Sequence, residues 1–236
     1  MTFFKSIKRK ICSMLYPEEH TAYSQMDHTW VHPTKVVLMG DSNLFYDGTR
    51  TWKQHIPGIK DRSTAQWVKE YLPKVQIVPV PELELFEMED WKASRMWDAL
   101  SKMLDGKILV VIWIGQNDCD KAEKNLGTRR DEQSFVQFRE RVKRHLDRKE
   151  DYFKDAIKSG KVKLIWIVPS DDSKCNFTPD YLRLVQILRE EILSRPNHLQ
   201  LPDMDQREYE DDHYHMMPQS RMETGRILAE RMRELL

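Results

Sequence analysis

Apolar residues along this chain cluster in short runs, and between them lie polar stretches with helical spacing. Val36-Val-Leu-Met39 is an apolar run rich in β-branched residues, flanked by Lys35 and Gly40, and reads as a strand buried on both faces. Val75 to Val80 (VQIVPV) reads as a second strand, which Pro79 confines to an edge or to an early end. Ile108 to Ile114 (ILVVIWI) is the most strand-like segment, bounded by Gly106 and Gly115, and belongs at the centre of the sheet. Val162 to Val168 (VKLIWIV), ended by Pro169, is a fourth strand, and Leu199 to Leu201 a short last one.

Helices fill the intervals. Ser63-Thr-Ala-Gln66 has the spacing of a capping box opening a helix through Tyr71, stopped by Pro73. A second helix is predicted over Glu87 to Leu104, burying Trp91, Met96, Trp97 and Leu100 and stopped by Asp105-Gly106. Gln116 to Arg130 reads as polar loop. A long helix is predicted over Asp131 to Ser159, closing at Gly160. Thr178-Pro179 caps and starts another through Leu193, and Pro218 to Leu236 forms the terminal one. Strands alternating with helices predict a three-layer α/β/α sandwich with a mostly parallel, flavodoxin-like sheet.

The start of the chain differs from the rest. Phe3, Phe4, Ile7, Ile11, Met14 and Leu15 share one helical face, with Lys5, Lys8, Arg9 and Lys10 around it. Such a helix packs on its own domain or touches a membrane surface or partner through residues 1–16. Tyr16 to Pro33 lacks periodicity and reads as a linker. His28 and His32 have metal-ligand spacing, but no third ligand accompanies them. The expected organisation is therefore 1–30 as amphipathic helix and linker, and 31–236 as the α/β domain.

Composition narrows the class. Basic and acidic side chains number 38 each and cancel, so no global field draws the protein to nucleic acid or anionic lipid. The mixed signs along Arg139 to Glu150 likewise read as a solvated face. Cys12, Cys119 and Cys175 are widely spaced, without metal-ligand rhythm, and read as free thiols of a cytoplasmic protein. No apolar run reaches the length of a membrane span, and the N-terminus lacks the pattern of a signal peptide. Neither metal nor cofactor is expected.

Three polar clusters stand at strand ends or before the last helix: Gly40-Asp-Ser42-Asn, Gly115-Gln-Asn117-Asp118 and Asp212-His-Tyr-His215. Open α/β sheets bind ligands just beyond the carboxyl ends of their strands. Ser42 is a weak nucleophile until a base takes its proton, and His215 can be that base. Asp212, three residues earlier, can orient the imidazole. Asn117 and the Ser42 backbone N–H can donate to an oxyanion, and Gly115 lets the chain bend to aim the Asn117 amide inward.

The blocks GDSN, GQND and DHYH, in this order, resemble those of the SGNH (GDSL-type) hydrolase superfamily, over most of the chain from Lys35 onward. The resemblance implies a nucleophile at Ser42, an oxyanion-hole asparagine at Asn117, and the Asp and His of a triad at Asp212 and His215. The order Ser, Asp, His excludes a chymotrypsin or subtilisin layout, and no G-x-S-x-G elbow surrounds the serine. One block departs from the family. After the second strand such enzymes carry a glycine that donates a further oxyanion N–H, but here the segment reads Pro79-Val-Pro-Glu-Leu-Glu-Leu85. Val80, Glu82 and Leu83 remain possible donors.

His213 and Asp211 compete with His215 and Asp212, but only His215 stands at D-x-x-H spacing within the DHYH block. Asp41 and Asp118 read as acceptors that organise loops. Trp113 and Trp166 read as core, and Trp52 as a wall or cover of a pocket. The expected activity is cleavage of an ester, acetyl ester or thioester through an acyl-serine, on a small molecule, glycan or lipid. Short acyl chains fit best, because no long apolar lid is visible. The alternative is a catalytically weakened relative that binds an acylated sugar, lipid or protein. A phosphate-binding flavodoxin-like module would need a Gly-rich loop that this sequence lacks.

Overall fold

The computed structural model describes residues 35–46, 62–81, 85–86, 106–126, 131–169, 177–201 and 216–236, all within the unit Thr34–Leu236. The amphipathic start, the linker with His28 and His32, Cys12, Cys175, and the helix expected over 87–104 lie outside the described residues.

Among the described residues five strands form one parallel sheet: β1 (Lys35–Gly40), β2 (Gln76–Pro81), β3 (Ile108–Trp113), β4 (Val162–Ile167) and β5 (His198–Leu199). Their order is β2-β1-β3-β4-β5, the flavodoxin-like arrangement that the alternation of strands and helices implies. β3 is central, as its unbroken apolar run requires, and every one of its residues is buried. β2 is an edge strand. Pro79 and Pro81 stand two apart, so their missing donors face the same side, and only an edge strand has a side that needs none.

Alternation along each strand feeds two cores. One set of side chains, including Val37, Val110, Ile112 and Trp166, packs under helices α3 (Gln116–Leu126), α4 (Glu132–Lys158) and α5 (Pro179–Leu193). The other set, including Val36, Leu38, Trp113 and Ile167, packs under α2 (Thr64–Tyr71) and α6 (Pro218–Leu235). A one-turn helix, α1 (Ser42–Phe45), follows β1 directly. The result is three layers, with Trp113 and Trp166 in the core.

Local chemistry sets the helix ends. Ser63 and Gln66 complete the capping box of α2, Asp131 caps α4, and Thr178 with Pro179 starts α5. Each such cap contributes about 1 kcal/mol. One expectation is corrected: Gln116 to Leu126 is helix, not polar loop. Its apolar stripe, Cys119, Ala122 and Leu126, is narrow and lies among polar neighbours, one of which, Asp118, is itself buried. Asp118 in the first turn suits the positive end of the helix, and an Asp120–Lys124 pair spans one turn.

Candidate active site

From β1 the chain passes to β2 on one side and then returns past β1 to β3 on the other. Strand order thus reverses between β1 and β3, and the carboxyl ends of these two strands carry the GDSN and GQND blocks.

The first block is shaped by close approach. A Cβ on Gly40 would stand 2.4 Å from the Trp113 carbonyl oxygen and 2.6 Å from Leu44 Cδ1, so only glycine fits there. Asp41 N–H donates to the Trp113 carbonyl at 3.2 Å, which binds the two strand ends together. Asp41 then caps α1, its Oδ1 accepting the Asn43 N–H at 2.9 Å. Ser42 is the first helical residue and is half-buried.

The second block turns on Gly115. Its φ of +115° is a region that side chains avoid, and an added Cβ would also lie 2.8 Å from Leu188 Cδ2. Gln116 and Asn117 open α3 half-buried, and Asp118 behind them is buried. The Asp118 carboxylate accepts the backbone N–H groups of Leu85 at 2.6 Å and Phe86 at 2.8 Å. It therefore organises the chain after β2, and those two N–H groups are committed to it. Val80 is buried within β2, whereas Glu82 and Leu83 lie outside the described residues.

The two blocks also meet side chain to side chain. Asn43 Nδ2 donates to Asp41 Oδ1 at 3.0 Å and to Gln116 Oε1 at 2.6 Å. Asp41 is the electrostatic anomaly of the region. Burial pushes its carboxyl from an ordinary 3.8 up to about 7; the Asn43 donors oppose the shift and the nearby Asp118 charge adds to it. Its Oδ2 is buried with no hydrogen-bond partner among the described residues. Both Asp41 and Asp118 thus accept bonds that order loops, as expected.

Neither protein-family models nor curated protein sequences match this chain. Solved structures do. A lipase from a goat rumen metagenome superposes with a TM-score of 0.60 at 10% identity, over 84% of this chain and 96% of its own. A Desulfitobacterium hafniense protein described as lipolytic and of the G-D-S-L family gives 0.51 at 15% identity, over 84% and 98%. The psychrotrophic esterase EstA from Pseudoalteromonas sp., inhibited by monoethylphosphonate, gives 0.50 at 13% identity, over 85% and 98%. The chain shares the three-layer α/β/α fold of these proteins.

In this fold the described chain resumes at Met216, directly after the DHYH block. Asp211, Asp212, His213 and His215 lie outside the described residues, as does Trp52. Met216 is anchored by a side chain that sequence reasoning passed over. Arg221, 1% exposed at the start of α6, donates from Nη1 to the Met216 carbonyl, and its guanidinium lies 5.1 Å from the centre of the Tyr46 ring. Tyr46 closes α1, its N–H bonding to the Ser42 carbonyl at 2.9 Å. An arginine in a charged terminal helix reads as solvated, so nothing in the sequence marks this one as buried.

Among the described residues, no group of three or more His, Cys, Asp or Glu side chains is arranged to hold a metal ion. No described helix is long and apolar enough to cross a membrane. Cys119 is buried in the core between α3 and the sheet.

Proposed function

We propose that this protein is a serine ester hydrolase working through an acyl-Ser42 intermediate. The observation that carries the reading is the position of Ser42 and Asn117 just beyond the carboxyl ends of β1 and β3, paired strands on either side of the point where strand order reverses. Ligand sites of open α/β sheets form in that crevice. A hydroxyl nucleophile and an amide donor there have the chemistry of acyl transfer, and the esterase and lipase neighbours support the same class.

In this mechanism Ser42 Oγ attacks the ester carbonyl while His215 takes its proton, and Asp212 holds the imidazole and stabilises its charged form. The oxyanion receives the Asn117 side-chain N–H and the Ser42 backbone N–H. His215 returns the proton to the leaving alcohol, or to a leaving thiol in a thioester, freeing it from the acyl-enzyme. Water, deprotonated by His215, then attacks the acyl carbonyl and releases the acid and Ser42. With no glycine after β2, one customary donor is missing from its usual place. Single oxyanion donors contribute about 10²–10³ in rate, so turnover is expected to be slow.

The substrate class is an ester or acetyl ester of a small molecule, glycan or lipid, with a short acyl chain. Hydrolysis of p-nitrophenyl acetate and p-nitrophenyl laurate by wild type and Ser42→Ala tests the reading. Turnover of acetate above laurate, lost in Ser42→Ala, is the expected result. Undiminished hydrolysis by Ser42→Ala would refute it, and laurate preference would refute the short-chain assignment.

A further inference from the structure

We propose that Asn43 and Gln116 form a positioning clamp that sets the Asn117 amide against Ser42; this rests on the hydrolase reading above. Asn43 follows the nucleophile directly, and Gln116 directly precedes Asn117. Their side chains meet in the bond from Asn43 Nδ2 to Gln116 Oε1, 2.6 Å long.

Asn43 is immobilised from two sides. An amide nitrogen has two hydrogens, and here one goes to Asp41 Oδ1 and the other to Gln116 Oε1. The Asn43 backbone N–H also binds Asp41 Oδ1, so backbone and side chain are both held by one buried carboxylate. Gln116 is thereby tied to a residue that Asp41 holds through both backbone and side chain. Gln116 and Asn117 share the first turn of α3, so fixing one fixes where the other starts. A donor to a developing oxyanion must be held within about 0.5 Å of its productive position.

The chemistry of the clamp suits its place. Two neutral amides join the loops without adding charge beside a site where negative charge develops. A carboxylate there would repel the oxyanion, and a lysine would compete with Asn117 for it. The backbone bond from Asp41 to Trp113 holds the strand ends before Ser42, and the amide pair ties the turn after Ser42 directly to the start of α3.

The test uses the full chain, p-nitrophenyl acetate, and the near-isosteric changes Asn43→Leu and Gln116→Met, each alone, together and combined with Asn117→Ala. Each single change is expected to lower kcat about tenfold with KM within about twofold, as for an interaction felt in the transition state. The double variant should match the worse single, because both changes break the same Asn43–Gln116 bond and only Asn43→Leu also loses the bond to Asp41. In the Asn117→Ala background Asn43→Leu should cost nothing further, since the clamp acts through Asn117, and thermal unfolding checks that each variant is folded. A further loss in that background, or unchanged kcat in the singles, overturns the clamp. Unchanged kcat in Asn117→Ala itself, or no turnover by wild type, overturns the hydrolase reading and the clamp with it.

Discussion

Arg221 Nη1 donates to the carbonyl oxygen of Met216 at 2.9 Å, deep inside the domain. This bond fixes the chain at the residue after His215, and the same guanidinium packs on Tyr46 at the end of the turn that carries Ser42. A single buried cation thus spans from the candidate nucleophile turn to the edge of the candidate base segment. Replacing it with methionine would leave a buried carbonyl without its charged donor.

Arg221→Met is therefore expected to lose about 1.5–3 kcal/mol of stability, the range for hydrogen bonds to charged groups. Arg221→Lys, which keeps a donor but not the guanidinium over the Tyr46 ring, should fall between. Urea denaturation of the three proteins decides. Equal midpoints would show that Arg221 contributes no net stability.

Asp41 gives a pH signature whose sign follows from the direction of its shift. Its carboxyl stands near 7 in the folded chain against 3.8 ordinarily, so between those values the folded state holds the extra proton. Its contribution to stability is complete below the unfolded value and is lost as pH rises through about 7. Relative to Asp41→Asn, wild type should weaken between pH 4 and pH 8, with an upper bound of about 4 kcal/mol for a shift of this size. His145 trends the opposite way, its imidazole lowered to about 4 by burial and by Arg141, Arg148, Lys149 and Arg144. That trend is common to both proteins and cancels in their difference. Parallel pH–stability curves would contradict the assignment.

Helices α2 and α6 cross closely at Gly225, where an added Cβ would lie 2.5 Å from Trp67 Cβ and 3.0 Å from the Thr64 carbonyl oxygen. Alanine would gain about 1 kcal/mol of helix propensity. Overpacking against a backbone atom costs about 1–3 kcal/mol and should win. Gly225→Ala is thus expected to melt below wild type in a thermal scan. A variant melting at or above wild type would show that the crossing can relax.

The sheet was legible because its signals are strong and local. The run over Ile108 to Ile114 can only be buried on both sides, and Pro79 can only be tolerated at an edge. The caps at Ser63, Asp131 and Thr178 each supply a side-chain oxygen at the spacing a helix start needs. The block from Gln116 to Leu126 does not read as helix because its apolar stripe is only Cys119, Ala122 and Leu126, amid charge. The Arg221–Tyr46 contact and the Asn43–Gln116 bond were illegible for a different reason: each joins residues far apart in the chain. Asn43 and Gln116 are 73 positions apart, and their meeting follows from the pairing of β1 with β3. In the sequence, Ser42 and Asn117 could be singled out through the turns that follow buried strands.

The base assignment has its own kinetic signature. Activity should rise with pH around the unperturbed imidazole value of about 6.5 as His215 loses its proton. His215→Ala should lose most turnover and His213→Ala much less. A larger loss in His213→Ala would reverse the assignment.

Labelling with a fluorophosphonate and mapping the adduct by mass spectrometry tests the central claim most directly. The reagent phosphonylates an activated serine and releases fluoride, so it reports the nucleophile whatever the natural ester. One adduct is predicted, on the peptide containing Ser42, absent in Ser42→Ala and slowed in Asn117→Ala. An unlabelled wild-type protein, or an adduct that persists in Ser42→Ala, would contradict the account.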